Sequence, residues 1–303
     1  MADGSSKVVY AALAGNFLVA ASKYVAAVIS GSSAMLTEAI HSTSDCINQL
    51  LLLIGVRRGK LPSDPSHRFG YGMEIYFWTF VVAVLVLLGG GAYSIYRGAS
   101  ELAAPHAIVA PNLSLGILLL SAIFEGGSFS VGYKQYKKVV ATHRIPGQSI
   151  SLVQFIKLSK DPSLYESLLE DGAALAGIVV AAVGISGSAY FGWLRADGAA
   201  SIVIGMILVV NGMAILIATR SLVAGEAVAP PVLHDLQSSL RGQSWSDRIT
   251  DLATLHLGPS CILVAVSLAP GPGEDAKVGL EVERRLKATD PRIIEVLFRF
   301  GSR

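Results

Sequence analysis

In the stretch Glu38-Ala-Ile-His41-Ser-Thr-Ser-Asp45, a histidine and a carboxylate stand four residues apart inside a segment otherwise apolar enough to cross a membrane. Side chains at i and i+4 share one face of a helix, so an imidazole nitrogen and a carboxylate oxygen can converge on one ion. Ionisable groups at membrane depth cost several kcal/mol each, which makes them functional-site candidates by default. The pair suits a borderline divalent cation such as Zn²⁺, which accepts nitrogen and oxygen ligands. A zinc site needs about four ligands, so a second helix must contribute. The segment Asp161-Pro162-Ser163-Leu164-Tyr165-Glu166-Ser167-Leu168-Leu169-Glu170-Asp171-Gly172 opens a helix with Pro in its first turn. It carries Asp171 more than two turns inside, where an unpaired carboxylate is expensive. Glu170 sits beside Asp171 but is rotated by about 100° around the helix. Glu166 is near the helix start, where solvation is expected.

The elements that must position these residues are membrane helices. Of the 303 residues, 52% are hydrophobic and only 15% charged, and the mean hydropathy is +0.56, all outside the ordinary soluble range. Six segments are long enough to span about 30 Å of hydrocarbon: Val8–Ile29, Ala34–Val56, Tyr76–Tyr96, Leu113–Tyr133, Leu164–Tyr190 and Ala199–Leu222. The first carries Lys23 and leads straight into the second, so it reads as a membrane helix rather than a cleaved signal peptide. Gly89-Gly90-Gly91 in the third span, and Gly126-Gly127 with Gly132 in the fourth, are small residues of the kind that let helices approach closely. Their abundance also matches the general frequency of glycine in membrane helices.

Arg57, Arg58, Lys60 and Arg68 lie between spans two and three. Lys134, Lys137, Lys138, Arg144, Lys157 and Lys160 lie between spans four and five. The alternate connections, Gly31-Ser32-Ser33 and the turn with Arg195 beside Asp197, are poorer in positive charge. The positive-inside rule then puts both basic loops and both termini in the cytoplasm, as an even number of spans requires. The expected fold is membrane α-helical: a six-helix transmembrane domain over 1–226, followed by a small cytosolic domain over 227–303. After Pro230-Pro231 a helix over Val232–Leu240 is expected, then strands over Ile249–Leu257 and Ile262–Leu268 flanking the turn Gly258-Pro259-Ser260. Val278, Val282 and Leu286 mark an amphipathic helix, and Ile293–Phe300 a closing strand. That order is ferredoxin-like α+β. At this size, support from a second copy is plausible.

Several classes are excluded. A formal net charge of +2 gives no argument for nucleic acid. Hydropathy excludes a soluble enzyme, and the G-x-x-x-x-G stretches lie in apolar helices with no following Lys-Ser/Thr, so no catalytic residue is expected. Cys46 and Cys261 form no C-x-x-C pair, which argues against a disulfide scaffold and a thiolate zinc site. Other polar groups within the spans are Asn16, Lys23, Asn48, Glu125 and Asn211. Glu125 could relay protons or pair with Lys23, and cost favours pairing.

The His-x-x-x-Asp of the second span, the six spans, the loop Asp64-Pro-Ser-His67-Arg-Phe-Gly70-Tyr-Gly72-Met-Glu74 and the terminal α+β unit together resemble the cation diffusion facilitator family, membrane transporters of divalent metals such as zinc. The resemblance covers nearly the whole chain, in the right order. It implies that His41, Asp45 and Asp171 are ligands of the transport site. The family's fourth ligand position corresponds to Ser167, a poor Zn²⁺ ligand. Either Glu170 swings in as a replacement or water completes the shell. The Glu170-Asp171 doublet looks like the branch that includes the animal mitochondrial zinc transporter nine. A second family site, with an Asp and two His, is matched by Asp64 and His67, whereas Tyr71 stands where the second His would be. Two protein ligands make a weak site, so a capping and turn role is favoured there. The last strand, Val296-Leu-Phe-Arg-Phe-Gly-Ser, offers no His or Asp, which leaves His234 and His256 with Cys261 near in sequence. Dimerisation is the expected role of this domain rather than metal sensing.

By that resemblance the chain is expected to be a homodimeric divalent metal/proton antiporter, exporting zinc from the cytoplasm by alternating access. The metal and protons are its substrates, membrane lipid and a second copy its partners, and no resident cofactor is expected. A bacterial inner membrane is the expected setting. Metal needs neutral imidazole and ionised carboxylates, so protons compete for the same groups, with His41 the natural exchange group at an ordinary pKa of about 6.5. Two rivals stand beside this reading. One is an exporter preferring Mn²⁺ or Fe²⁺, suggested by the oxygen-rich second half of the site. The other is a membrane scaffold or regulator with a degenerate transport site.

Overall fold

The computed structural model describes residues 2–142, 151, 154–156, 159–271 and 275–300. Arg144 and Lys157 of the second basic loop lie outside the described residues. Six long helices follow the apolar segments: α1 (Ala2–Ser30), α2 (Ser33–Arg58), α3 (Glu74–Ala103), α4 (Pro111–Thr142), α5 (Pro162–Phe191) and α6 (Ala196–Ala224). All but α2 are both long and apolar enough to cross a membrane. α2 has 26 residues, so at 1.5 Å per residue it also has the length of a span, about 39 Å. Its polar residues, Glu38, His41, Ser42, Asp45 and Asn48, set it apart. α3 contains a π-helical turn over Val86–Ala92.

The chain divides into two compact units: Met1–Ile54, Trp78–Ile150 and Ser163–Ile217 in the first, and Gly55–Phe77, Ser151–Pro162 and Ala218–Arg303 in the second. In the first unit, Ala26, Met35, Leu118, Ile178, Ile185, Ile204 and Leu208 form one apolar core contributed by five helices. The tight turn between α1 and α2 uses Gly31 at a φ of 71°, a conformation only glycine adopts without strain. Asp197 of α6 closes this turn. Its carboxylate accepts hydrogen bonds from the Ser32 hydroxyl and the Ser33 amide, each at 2.5 Å. It thereby satisfies amide groups that the start of α2 leaves without intrahelical partners.

α3 and α6 are in backbone contact. A Cβ added at Gly98 would stand 2.7 Å from the Gly198 carbonyl oxygen, and one at Gly205 would stand 2.9 Å from that of Gly91. Gly91 and Gly98 on one helix, and Gly198, Gly205 and Gly212 on the other, repeat every seven residues and so line one seam. The close approach expected of Gly89-Gly90-Gly91 is realised at Gly91, whereas Gly126 and Gly127 of α4 face open space. Gly126 and Gly127 are therefore not packing residues in this bundle, whereas a Cβ at Gly132 would meet Leu168 of α5 at 3.8 Å.

The second unit contains α7 (Pro230–Leu240), β1 (Ile249–Gly258), β2 (Cys261–Leu268), α8 (Asp275–Thr289) and β3 (Ile293–Phe300), where the names α7 and α8 continue the numbering above. This is the expected helix, two strands, helix, strand. The sheet order is β1-β2-β3, with β1 antiparallel and β3 parallel to the central strand. β2 buries Ile262, Val264, Val266 and Leu268, the period-two face of a strand. Val278, Val282 and Leu286 of α8 pack on them.

Gly98→Leu and Gly198→Leu are each expected to destabilise the protein by at least about 1–3 kcal/mol through overpacking, and Gly126→Leu to leave stability nearly unchanged. Thermal unfolding of the purified variants in detergent, followed by tryptophan fluorescence, checks this contrast.

Candidate metal centre

α2 and α5 run antiparallel at the site. Glu38 Oε1 lies 2.5 Å from where a Cβ on Gly177 would be, so Gly177 makes room for that carboxylate. Ten residues further along α2, the Asn48 amide donates to Glu170 Oε1 at 2.5 Å. His41, Asp45 and Asp171 fall between these two crossings.

His41 is buried, and its Nδ1 is 3.6 Å from Asp45 Oδ1, too long for a hydrogen bond. Both ring nitrogens of His41 and Oδ1 of Asp45 are buried with no hydrogen-bond partner among the described residues. Most buried polar side-chain atoms in folded proteins are satisfied, so unpaired ones need an explanation. A nitrogen lone pair and a carboxylate oxygen facing one another across a short gap are suited to hold a cation.

The Glu170-Asp171 doublet is split between two neighbours. Asp171 accepts a hydrogen bond from Ser128 of α4 at 2.8 Å and has a second hydrogen-bonding neighbour in Ser167. Glu170 turns instead to Asn48 of α2. The charges of Asp45 and Asp171 lie within electrostatic reach of each other. Among the described residues, however, no three His, Cys, Asp or Glu side chains stand close enough to share one ion. The structure thus brings His41 and Asp45 together, sets Asp171 with Ser167 and Ser128, and holds Glu170 one turn away on Asn48.

Two expectations are corrected. Glu166 is fully buried rather than solvated: packing, not distance from the helix end, decides its exposure. Lys23 pairs not with Glu125 but with Glu38, Nζ to Oε2 at 3.0 Å, and also donates to Ser42 at 2.8 Å. Glu38 follows the α1–α2 turn and is presented directly to α1, whereas Glu125 remains half-buried on α4. Glu38 and Ser42 share one face of α2 as an i,i+4 pair, but nothing in the sequence assigned that face to Lys23. No spacing pointed to Ser128 or Asp197.

In the loop before α3, the Asp64 carboxylate accepts the amides of Ser66 and His67 at 2.8 and 2.7 Å, and the Tyr71 hydroxyl at 2.7 Å. The His67 ring stacks on Tyr71 with centroids 4.0 Å apart. Tyr71, in place of a second histidine, thus occupies the carboxylate oxygen that a metal would use, and Asp64 works as a turn cap. The Tyr71 hydrogen bond, followed by the backbone amides, holds the Asp64 carboxyl below its ordinary pKa. In the α+β unit, His234 is exposed on α7 and His256 is buried on β1. Burial lowers the His256 imidazole pKa.

Long apolar helices that bury histidine and carboxylate side chains define an integral membrane protein. Residues 9–222 match the cation efflux transmembrane domain, so the chain belongs to the cation efflux, or cation diffusion facilitator, family. Members of this family are metal-cation efflux transporters, not enzymes. The chain is 28% identical over 255 residues to the proton-coupled zinc antiporter SLC30A9, mitochondrial, of Homo sapiens, covering 84% of this chain and 44% of that protein. The Xenopus laevis protein of the same name is 30% identical over 258 residues, covering 85% and 45%. Metal tolerance protein C4 of Arabidopsis thaliana is 28% identical over 259 residues, covering 84% and 55%. The chain spans about half the length of the curated relatives it matches.

Two outcomes follow from these contacts. Lys23→Met leaves Glu38 buried without its partner and is expected to cost about 3–5 kcal/mol, while the double change Lys23→Met/Glu38→Gln recovers most of it; unfolding midpoints in detergent read both. At Asp64 the anion is the form that holds the turn, so loop order is complete above the ordinary carboxylate range and is lost as pH falls through the lowered pKa. Tyr71→Phe removes the largest cause of that lowering and should move the Asp64 titration upward in pH, as read by carboxyl ¹³C NMR on Asp-labelled protein.

Proposed function

We propose that this chain exchanges a divalent metal, zinc foremost, for protons, and exports the metal from the cytoplasm by alternating access. The observation that carries this reading is the buried pair His41 and Asp45, whose facing atoms have no hydrogen-bond partner. Asp171 joins them as third ligand when the helices close on an ion, and Glu170, Ser167 or water completes the shell. The metal requires neutral imidazole and ionised carboxylates, so protonation of the same groups releases it, and one site couples the two fluxes. The relatives named as proton-coupled zinc antiporters support both substrates.

In this reading residues 1–226 form a six-span transport domain in a bacterial inner membrane, with both termini cytoplasmic, and no resident cofactor takes part. Residues 227–303 form a cytosolic dimerisation domain. Exposed Ile294, Leu297 and Phe300 on β3 support that role. A second reading, preference for Mn²⁺ or Fe²⁺, is favoured by the oxygen-only surroundings of Glu170.

Proteoliposomes with an imposed pH gradient test the function. Asp45→Ala and Asp171→Ala are expected to lower Zn²⁺ flux to near the empty-vesicle level, and Glu170→Ala to alter the Zn²⁺/Mn²⁺ ratio. Undiminished flux in the Asp45 and Asp171 variants would refute the site, and absence of flux for every metal in the unmodified chain would refute transport.

A further inference from the structure

Beside the His41–Asp45 pair lies a second group of buried oxygens. Glu166 is fully buried, and among the described residues neither of its carboxylate oxygens has a hydrogen-bond partner. Glu170 follows at i+4 on the same face of α5. Asn48 of α2 is also fully buried. Its amide nitrogen bonds Glu170, while its Oδ1 is buried without a partner. Three acceptor atoms are therefore unpaired around a single donor, the Asn48 amide. Ionised carboxylates only accept hydrogen bonds, so acceptors held together without donors lack a positive partner. A divalent cation would supply it, and two carboxylates balance its charge.

The position of this group is informative. Asn48 lies three residues beyond Asp45 on α2, and Glu166 lies five residues before Asp171 on α5. Because the helices are antiparallel here, both steps lead toward the same end, the one holding the C-terminus of α2 and the N-terminus of α5. Along α2, Asn48 is about one helical turn, some 5 Å, from Asp45 and about two turns from His41.

We propose that Glu166, Glu170 and the Asn48 amide oxygen form a second, oxygen-only cation position that holds a divalent ion one turn beyond Asp45 and two turns beyond His41. Its ligands are all oxygen, so it discriminates against Mn²⁺ less than a site containing the imidazole of His41, two turns further on, does. Zn²⁺ therefore gains more than Mn²⁺ by moving on to the nitrogen. Cation binding here stands on the geometry alone; the part it plays on the ion's path rests on the transport reading above.

The test uses the full chain in lipid nanodiscs, with Mn²⁺ as probe and its free concentration read by electron paramagnetic resonance. Glu166→Gln is expected to weaken Mn²⁺ binding at least about tenfold, since loss of even an outer-shell partner costs 10- to 100-fold, while Zn²⁺ binding to the same variant changes little. Asp45→Asn should do the opposite. Glu166→Asp keeps the charge on a shorter arm and should bind Mn²⁺ with intermediate affinity, which serves where the Gln variant does not fold. Wild-type Mn²⁺ binding in Glu166→Gln would overturn the proposal and mark Glu166 as a neutral buried acid. Parallel loss of both metals in Glu166→Gln and Asp45→Asn would also overturn it, by making the two groups one site. Separate Mn²⁺ and Zn²⁺ losses in a protein that moves no metal across vesicles would uphold the second position and remove the transport reading.

Discussion

A polar atom buried at membrane depth must find a donor, an opposite charge or an ion, because hydrocarbon supplies none of them. The polar residues of the first unit sort by how they meet this demand. Glu38 meets it with Lys23 at Oε2, though its Oε1 stays unpaired, Asp171 with Ser128, and Asp197 with the hydroxyl and amide groups that open α2. His41, Asp45 and Glu166 do not meet it from within the protein. The satisfied groups join α1 to α2, α4 to α5 and α6 to the α1–α2 turn, and so fix the frame in which the unsatisfied ones face each other. The cost of leaving those atoms unpaired is what the proposed cation would offset.

The two kinds of helix contact in this unit have different mechanical consequences. α3 and α6 meet backbone to backbone along a glycine seam, where any rotation drives side chains into carbonyl groups. α2 and α5 meet through Asn48 and Glu170 and through the fit of Glu38 beside Gly177. Hydrogen-bonded side chains can exchange partners when an ion arrives, whereas a glycine seam has no alternative arrangement of similar energy. A glycine-locked pair beside a polar, adjustable pair is a division of labour suited to a bundle that must hold its shape while one contact rearranges.

Much of this was legible in the sequence for one reason: burial on every side leaves an unbroken apolar run, and burial on one side leaves a period. The spans, the start of α5 at Pro162, the β1–β2 turn at Gly258-Pro259-Ser260 and the face Val278, Val282, Leu286 all follow from those two signals. Within the site, His41 and Asp45 were legible because their spacing lies within one helix. Pairings between helices were not. Lys23 and Glu125 are both long and charged, and nothing in their spacing says that α1 presents Lys23 to Glu38 instead. The burial of Glu166, one turn into α5, was hidden in the same way, since position along a helix does not reveal what packs against it. Ser128 and Asp197 looked like ordinary polar residues until their neighbours were known.

The residue that departs furthest from the family pattern, Ser167, makes sense in the same terms. A serine four residues before Asp171 is a poor zinc ligand, yet it is well placed to hydrogen-bond that carboxylate, and it does so together with Ser128. Two hydroxyl donors keep Asp171 oriented on the face of α5 away from Glu170. The second acid of the doublet is then free to face α2, where Asn48 receives it. The doublet thus presents its two carboxylates to different neighbours, Asp171 to α4 and Glu170 to α2.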